Sequence, residues 1–599
     1  DEAVRSPELN LKLGAINLAN INIGFDNAGT KLNTGLNLKK LVVEFNSINL
    51  KKQFIDLKNF EIDGIKGGLT FGKLDKKITV QAPDSLKASG PKWKVKLDQT
   101  SLKNIVFRFD DENAARAKKG IDYKHLNLEN VQLQGEKFYY SADTISGNIQ
   151  AFTMNDQSGV AIESFRTDFF YGSKRASLKK LYRKTPQTLV KDEINITYDN
   201  LATIADNLGD LGIKASLKDS RIGFKDILLF VPNLENTNPF KSNPEAILYI
   251  NSEVSGKVSD LIIPNLEISG IGTTVIAASG RITGLPDAKK AYFDLKIREF
   301  KTSSKDINTF VPEGTLPATI QLPAQLSLNG FFKGAVNNFN TDLNLASSFG
   351  KAKVKASFDQ RRKNHEKYQA DATIDNFDIG KLLKNDSLGK VSLKAKVKGT
   401  GLDPKTANAT IDGTLIKAEF NRYAYRDLKL KGAIQNGNFN ATAGMNDANL
   451  TFALKAEGNF KDKYPSVKLK LNTDIADLEK LNLHAGPMKI RGDVYADIPS
   501  SNPEFLNGTI SIHNILIADA KETYALDSIK VEAISTAASD TIRLKSQFVD
   551  AQLAGKFQID QAPTALANSI AKYYDTNPKA PKKATKPQQF DLKIGVKDD

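Results

Sequence analysis

The sequence predicts a mainly β protein: a long antiparallel-type sheet interrupted by a few short amphipathic helices. Three observations predict it. Apolar and polar residues alternate with period two in one segment after another, the spacing of a half-buried strand. Gly, Asn and Asp separate the segments at turn-like intervals. No apolar run approaches the roughly 18 residues of a membrane-spanning helix.

The clearest stretch is 387–471. Val391, Leu393, Ala395 and Val397 alternate with Ser392, Lys394, Lys396 and Lys398. The pattern restarts through Ile411, Phe420, Leu428, Leu430, Phe439, Leu450, Phe452, Leu454, Val467, Leu469 and Leu471, and recurs further on at Ile510, Ile512, Leu544 and Leu553. One face is therefore apolar and the other rich in Lys, Thr, Asn and Asp. Apart from Ala395, these apolar residues are the candidate functional set.

The amino-terminal part repeats the pattern. Leu9, Leu11 and Leu13 alternate, then Ile16 and Leu18, Ile21, Ile23 and Phe25, Leu36 and Leu38, Ile55 and Leu57, and Phe60 and Ile62. Gly64, Gly67, Gly68 and Gly72 read as turn or bulge positions. Trp93 is expected to pack on the apolar face. Period two alone does not say which parity points inward where bulges intervene.

Short helical patterns recur at Asp199–Gly209, Asp226–Val231, Asp306–Val311, Phe377–Leu383, Ile475–Leu481 and Thr564–Tyr574. At two or three turns each they are too short to stand alone, so they must dock on or cap the sheet. Their spacing suggests a loose repeat of roughly 70 to 110 residues. Thr576–Pro587 is basic and proline-rich and cannot be strand. Residues 1–575 are thus expected to form one continuous region, 576–589 a loop, and 590–599, with Phe590, Leu592 and Ile594, the start of the next strand of a longer protein.

Composition removes several function classes. Apolar residues at 40% exclude a disordered chain. Lys and Arg number 84 against 69 Asp and Glu, an excess interleaved along polar strand faces rather than gathered into an arm. With no ribonucleoprotein motif or zinc ligand set, nucleic acid is disfavoured. The absence of cysteine excludes disulfides and a thiolate nucleophile. His125, His365, His484 and His513 lie too far apart in sequence to suggest a metal site. Gly270-Ile271-Gly272 and Gly399-Thr400-Gly401 lack the context of a phosphate loop and read as turns. Asp26, Asp110, Asp111, Asp447 and Asp474 sit mostly in turn-like contexts. Neither an enzyme nor a cofactor is predicted.

At roughly ten residues per strand and turn, about 35 to 45 strands are expected, more than an open twisted sheet carries without curling. The apolar faces either pack on each other or line a trough, and periodicity leaves both open. A trough would matter energetically, because carrying an acyl chain of about 16 carbons through water costs on the order of 12 kcal/mol.

Several segments resemble a known family. These are Ala176-Ser177-Leu178-Lys179-Lys180-Leu181-Tyr182-Arg183-Lys184-Thr185-Pro186-Gln187-Thr188, Leu211-Gly212-Ile213-Lys214-Ala215-Ser216-Leu217 with Ser220-Arg221-Ile222-Gly223-Phe224-Lys225-Asp226, and Leu322-Pro323-Ala324-Gln325-Leu326-Ser327-Leu328-Asn329-Gly330. Gly399-Thr400-Gly401-Leu402-Asp403-Pro404-Lys405-Thr406 and the helix Ala565-Leu566 to Tyr573-Tyr574 belong with them. In this order they resemble the TamB branch of the AsmA-like proteins of Bacteroidetes, from about Leu9 onward.

The resemblance implies a curled, open β-groove that conducts phospholipid, without catalysis, across the periplasm of a Gram-negative bacterium. It also implies an inner-membrane anchor helix and a domain meeting an outer-membrane barrel of the TamA type, both expected outside this sequence. The alternative it carries is a scaffold for outer-membrane protein assembly. A more distant reading is an adhesin of stacked β-sandwiches.

Overall fold

The computed structural model describes residues 13–74, 93–200, 204, 207–310, 317–574 and 587–597. Strand accounts for 66% and helix for 7%, so there is too little helix to form a second layer over the sheet. The chain divides into two units, residues 1–315 with 324–335, and 316–323 with 336–599.

The first unit contains β1 (Ala15–Asn27), β2 (Leu32–Asn49), β3 (Phe54–Phe71), β4 (Lys94–Asp111) and β5 (His125–Tyr140). It continues through β6 (Thr144–Asp156), β7 (Ala161–Gly172), β8 (Arg175–Lys184), β9 (Leu189–Thr197) and β10 (Gly212–Gly223). Helix α1 (Phe224–Phe230) follows, then β11 (Ile247–Lys257), β12 (Asp260–Ile271), β13 (Thr274–Thr283), β14 (Tyr292–Ser303), α2 (Ser304–Phe310) and β15 (Gln325–Ala335). Consecutive strands pair antiparallel, except that β3 and β4 run parallel and are joined by the long connection 72–93.

The second unit contains β16 (Asn338–Ser347), β17 (Gly350–Asp359), β18 (Lys367–Asp378), α3 (Ile379–Leu383), β19 (Leu388–Thr400), β20 (Asn408–Phe420) and β21 (Tyr423–Gln435). There follow β22 (Asn438–Asp447), β23 (Leu450–Asn459), β24 (Ser466–Asp477), β25 (Lys489–Ser500), β26 (Asn507–Ala518) and β27 (Thr523–Ser535). The last elements are β28 (Asp540–Ser546), β29 (Val549–Lys556), α4 (Ala562–Ile570) and β30 (Gln589–Val596). These strands also form a sequential antiparallel ladder. Among the described residues, β1 pairs only with β2 and β30 only with β29, and the sheet does not close into a barrel.

Among the described residues thirty strands stand against the expected 35 to 45, because the strands are long, reaching 18 residues in β2, β3 and β4. A left-handed residue recurs within these long strands. Asn20, Asn104, Asn130, Asn376, Asp427 and Asn514 adopt left-handed backbone conformations, and each stands directly before an apolar residue. At each the apolar spacing lengthens from two to three, as in Ile510, Ile512, Ile515 and Ile517 around Asn514. Register shifts beside Asn104, Asn130, Asn376 and Asn514 mark one-residue bulges there; a bulge reverses the parity of the strand, and the longer spacing reverses it back. Asn and Asp tolerate this conformation better than branched residues do.

The helices lie at strand ends. Each follows a strand, and α1, α2 and α3 tie back to the turn of the preceding hairpin. Asp306, 5% exposed, accepts from the amide of Thr273 at 2.8 Å and from its hydroxyl at 2.9 Å, fixing α2 to the β12–β13 turn. Asp226 of α1 accepts from Thr185 in the β8–β9 turn. The Asp378 amide donates to Phe349 O at 2.8 Å and that of Asp477 to Asn449 O at 2.9 Å, repeating the arrangement at two more hairpins. In the first unit the β4–β5 loop also reaches α1, where the Ile121 amide donates to Leu229 O at 2.8 Å.

The helical expectation at Ile475–Leu481 is incorrect. Ile475 and Ala476 pair with Thr451 and Leu450 at the end of β24, and only a hydrogen-bonded turn follows. Ladder pairing there overrides a local helical period. In the 199–209 segment only a 3-10 turn, Leu208–Asp210, is seen among the described residues, while 201–203 and 205–206 lie outside them. Leu9, Leu11, Val311, Pro312 and most of the proline-rich loop also lie outside. Trp93 precedes β4 and is 41% exposed. Of the two glycine pieces expected as turns, only Gly272 and Gly401 lie beyond a strand end; Gly270 and Ile271 belong to β12, and Gly399 and Thr400 to β19.

Candidate functional site

Directly opposed residues of neighbouring strands share a face of the sheet, so the register assigns each candidate its place. Val397 of β19 stands between Ala370 and Ile411. From Ile411 the same row runs through Gly432, Ala441, Ala456, Leu469, Ala496, Ile510, Val531, Leu544 and Ala551 to Ile594. It crosses thirteen consecutive strands without a charged residue. A parallel row carries Leu430, Ala443, Leu454, Leu471, Val494 and Ile512.

The remaining candidates fall on the same face. Leu393 opposes Leu415, which opposes Leu428, and Leu428 continues through Met445 to Phe452. Phe439 and Val467 flank Gly458, and Leu553 opposes Ile542. Val391 opposes Ala418, Phe420 opposes Tyr423, and Leu450 sits between Asp447 and Ala476 near the strand ends.

None of the eighteen is buried. Ile411, Phe420 and Ile510 are exposed at 38%, 45% and 36%, and the others are half-buried. Among the described residues, the strands make their substantial contacts with ladder neighbours and with the short helices at their ends. The largest fully buried side chains, Phe224 and Leu481, lie at strand ends and not on the face. Among the described residues, no second layer of protein buries the apolar face.

Glycines and flat-lying rings shape this surface. Phe439 covers Gly458 and stacks on Phe460 with centroids 4.7 Å apart. Phe138 covers Gly135 and Gly147 in the same way in the first unit. An aromatic ring laid over a cross-strand glycine shields the backbone there without raising a tall side chain from the sheet.

The candidate set stops short of the first unit, which carries an apolar row of its own. Leu18, Leu41, Ile62, Leu102, Leu133, Phe152 and Phe165 form a row from β1 to β7. The alternation that marks them in the sequence is the same; only the bulges obscure their common side.

The most buried ionisable cluster lies apart from these rows. Asp110, 4% exposed, accepts from Arg116 at 3.1 Å and from Arg108, with His125 Nδ1 at 3.2 Å. Burial pushes its carboxyl up, but Arg108, His125 and Arg116 outweigh this and hold it below the usual carboxylate range. The His125 ring is fixed between Asp110 and the Ala114 carbonyl. The cluster joins the β4–β5 loop to its strands.

Among the described residues no group of three or more acidic or histidine side chains is placed to hold a metal ion, and no helix is long and apolar enough to cross a membrane. No protein-family model matches the chain, and comparison with curated proteins finds no significant match.

Proposed function

We propose that the protein is a non-enzymatic conduit for phospholipid acyl chains, shielded along the apolar face of the sheet. The observation carrying this reading is the unbroken, uncovered apolar row from Ala370 to Ile594. Each methylene kept from water is worth about 0.8 kcal/mol. A surface without gaps lets a chain move by exchanging equivalent contacts, so no single step bears the full desolvation cost. The charged opposite face keeps the sheet hydrated while the headgroup stays at the margin of the apolar surface. The resemblance noted above supports a conduit that works in the periplasm between two membranes, with a TamA-type barrel as its proposed outer-membrane partner.

A second reading, a scaffold for nascent outer-membrane strands, draws on the free outer edge of β1, which pairs only with β2 among the described residues. Photo-crosslinkers at Leu454 and Leu469 in cells separate the two. Phospholipid adducts support the conduit, polypeptide adducts the scaffold, and the absence of lipid adducts at both positions overturns the conduit.

A further inference from the structure

The polar face of the second unit has a regular charge order. Across β16 to β21 one register row reads Asp342, Lys355, Asp371, Lys396, Asp412, Lys431, so that acids and bases alternate strand by strand. Lys396 lies 3.7 Å from Asp371 and Lys431 3.8 Å from Asp412. The order breaks at β22. Thr442 occupies the position where an acid would come next, and Lys455 and Lys470 then stand directly opposite each other on β23 and β24. Like charges directly opposed across a ladder are destabilising.

A depression of about 410 Å³ lies at this break. Lys429, Lys431, Lys455 and Lys470 surround it, with Thr442 and Asn472 on its lining and no acidic residue among the residues that line it. Lys431 is shared with Asp412, and the Lys470 ammonium lies 5.2 Å from the centre of the Tyr495 ring. The floor is low because Gly444 and Ala453 oppose each other there. Along the row from Asp342 to Lys431 charge is compensated; past Thr442 it is not, and cations converge on a concave, hydrogen-bonding surface.

We propose that this depression binds a multiply charged phosphate group. Several ammonium groups around small polar side chains suit phosphate oxygens, which accept charge-assisted hydrogen bonds from point donors of this kind. The ligand also accounts for the opposed lysines, whose repulsion it relieves. This site is on the face opposite the apolar rows and does not depend on the conduit reading.

The test uses the full chain with two probes, inorganic pyrophosphate and phosphatidylcholine vesicles with or without phosphatidic acid. Calorimetry and co-sedimentation compare wild type, Lys455→Gln with Lys470→Gln, and a control, Lys394→Gln with Lys398→Gln, on the same face. The expected result is binding by wild type and control, weakened roughly tenfold or more in the 455/470 variant. That variant should also melt higher than wild type without ligand, since the opposed charges are gone, which shows that it folds. Pyrophosphate binding alone assigns a soluble phosphate; binding that requires phosphatidic acid assigns a lipid headgroup. Failure of wild type to bind either probe, or equal binding by the 455/470 variant and the control, overturns the proposal.

Discussion

Two carboxylates on the apolar side of β19 provide the sharpest test of the conduit. Leu393 stands between Ile374 and Leu415, and Val397 between Ala370 and Ile411. Four residues apart on one strand, they lie about 13 Å from each other. Leu393→Asp with Val397→Asp therefore places hydrated charge over about 13 Å along that strand, where two apolar rows cross it. A chain crossing it loses apolar contact over one strand spacing of about 4.8 Å, or roughly four methylenes, about 3 kcal/mol in all. Crossing should slow by roughly 150-fold. Because both residues are only half-buried, the stability loss should be about 1–2 kcal/mol per site, below that of a true core position. The assay is transfer of labelled phospholipid between donor and acceptor vesicles. Lys394→Asp with Lys398→Asp, on the opposite face against Thr373, Thr414, Gln369 and Thr410, should transfer at the wild-type rate. Wild-type transfer by the first variant, or an equal loss in both, refutes the reasoning.

Further expectations concern the devices that hold the sheet. Burial pushes the Asp306 carboxyl up, but hydrogen bonds from Thr273 and Thr274 outweigh it and hold the group below its usual range. Its contribution to stability is therefore present above the unfolded pKa of about 3.9 and lost as pH falls through the lower folded value. Asp306→Asn should cost about 2 kcal/mol in urea unfolding at neutral pH, with the difference from wild type shrinking in acid. At the β26 bulge, Asn514→Val should destabilise by about 1–2 kcal/mol, since a branched residue resists positive φ, whereas Asn514→Gly should change little. A Cβ at Gly458 would overlap the Ser466 carbonyl and the Phe439 ring, while one at Gly413 meets only Lys394 O at 3.8 Å. Gly458→Ala should thus lower the melting temperature clearly and Gly413→Ala should not.

The apolar face of each unit was legible in the sequence because period two survives in long runs such as 391–397. Its continuity within a unit was not, because bulges at Asn104 and Asn514 reverse the strand parity, and counting in twos loses the side. The signal was nevertheless present: an Asn or Asp directly before the apolar residue that breaks the count. The helix at 475–481 was misread for a different reason. Leu478 and Leu481 fit a helical period, but Ile475 and Ala476 had ladder partners in β23, and no local pattern reports a partner that lies more than twenty residues away. The opposed pair of Lys455 and Lys470 was likewise invisible until the register placed them together.

Whether the apolar face is a core or a surface was the choice that periodicity could not make. In a closed sandwich a second sheet sits about 10 Å away and buries the inward residues of both. None of the eighteen candidates is buried, and the acid–base order from Asp342 to Lys431 marks the other face as the hydrated one. The row from Ala370 to Ile594 spans about 60 Å at ordinary strand spacing, longer than the isolated apolar patches of soluble monomers. Such a face calls for an occupant, and its geometry discriminates between candidates. A nascent strand needs backbone donors and acceptors, which a sheet offers only along its edges; the backbone groups within the ladder are already paired to neighbouring strands. An acyl chain needs none, only contiguous apolar contact, and that is what the face presents.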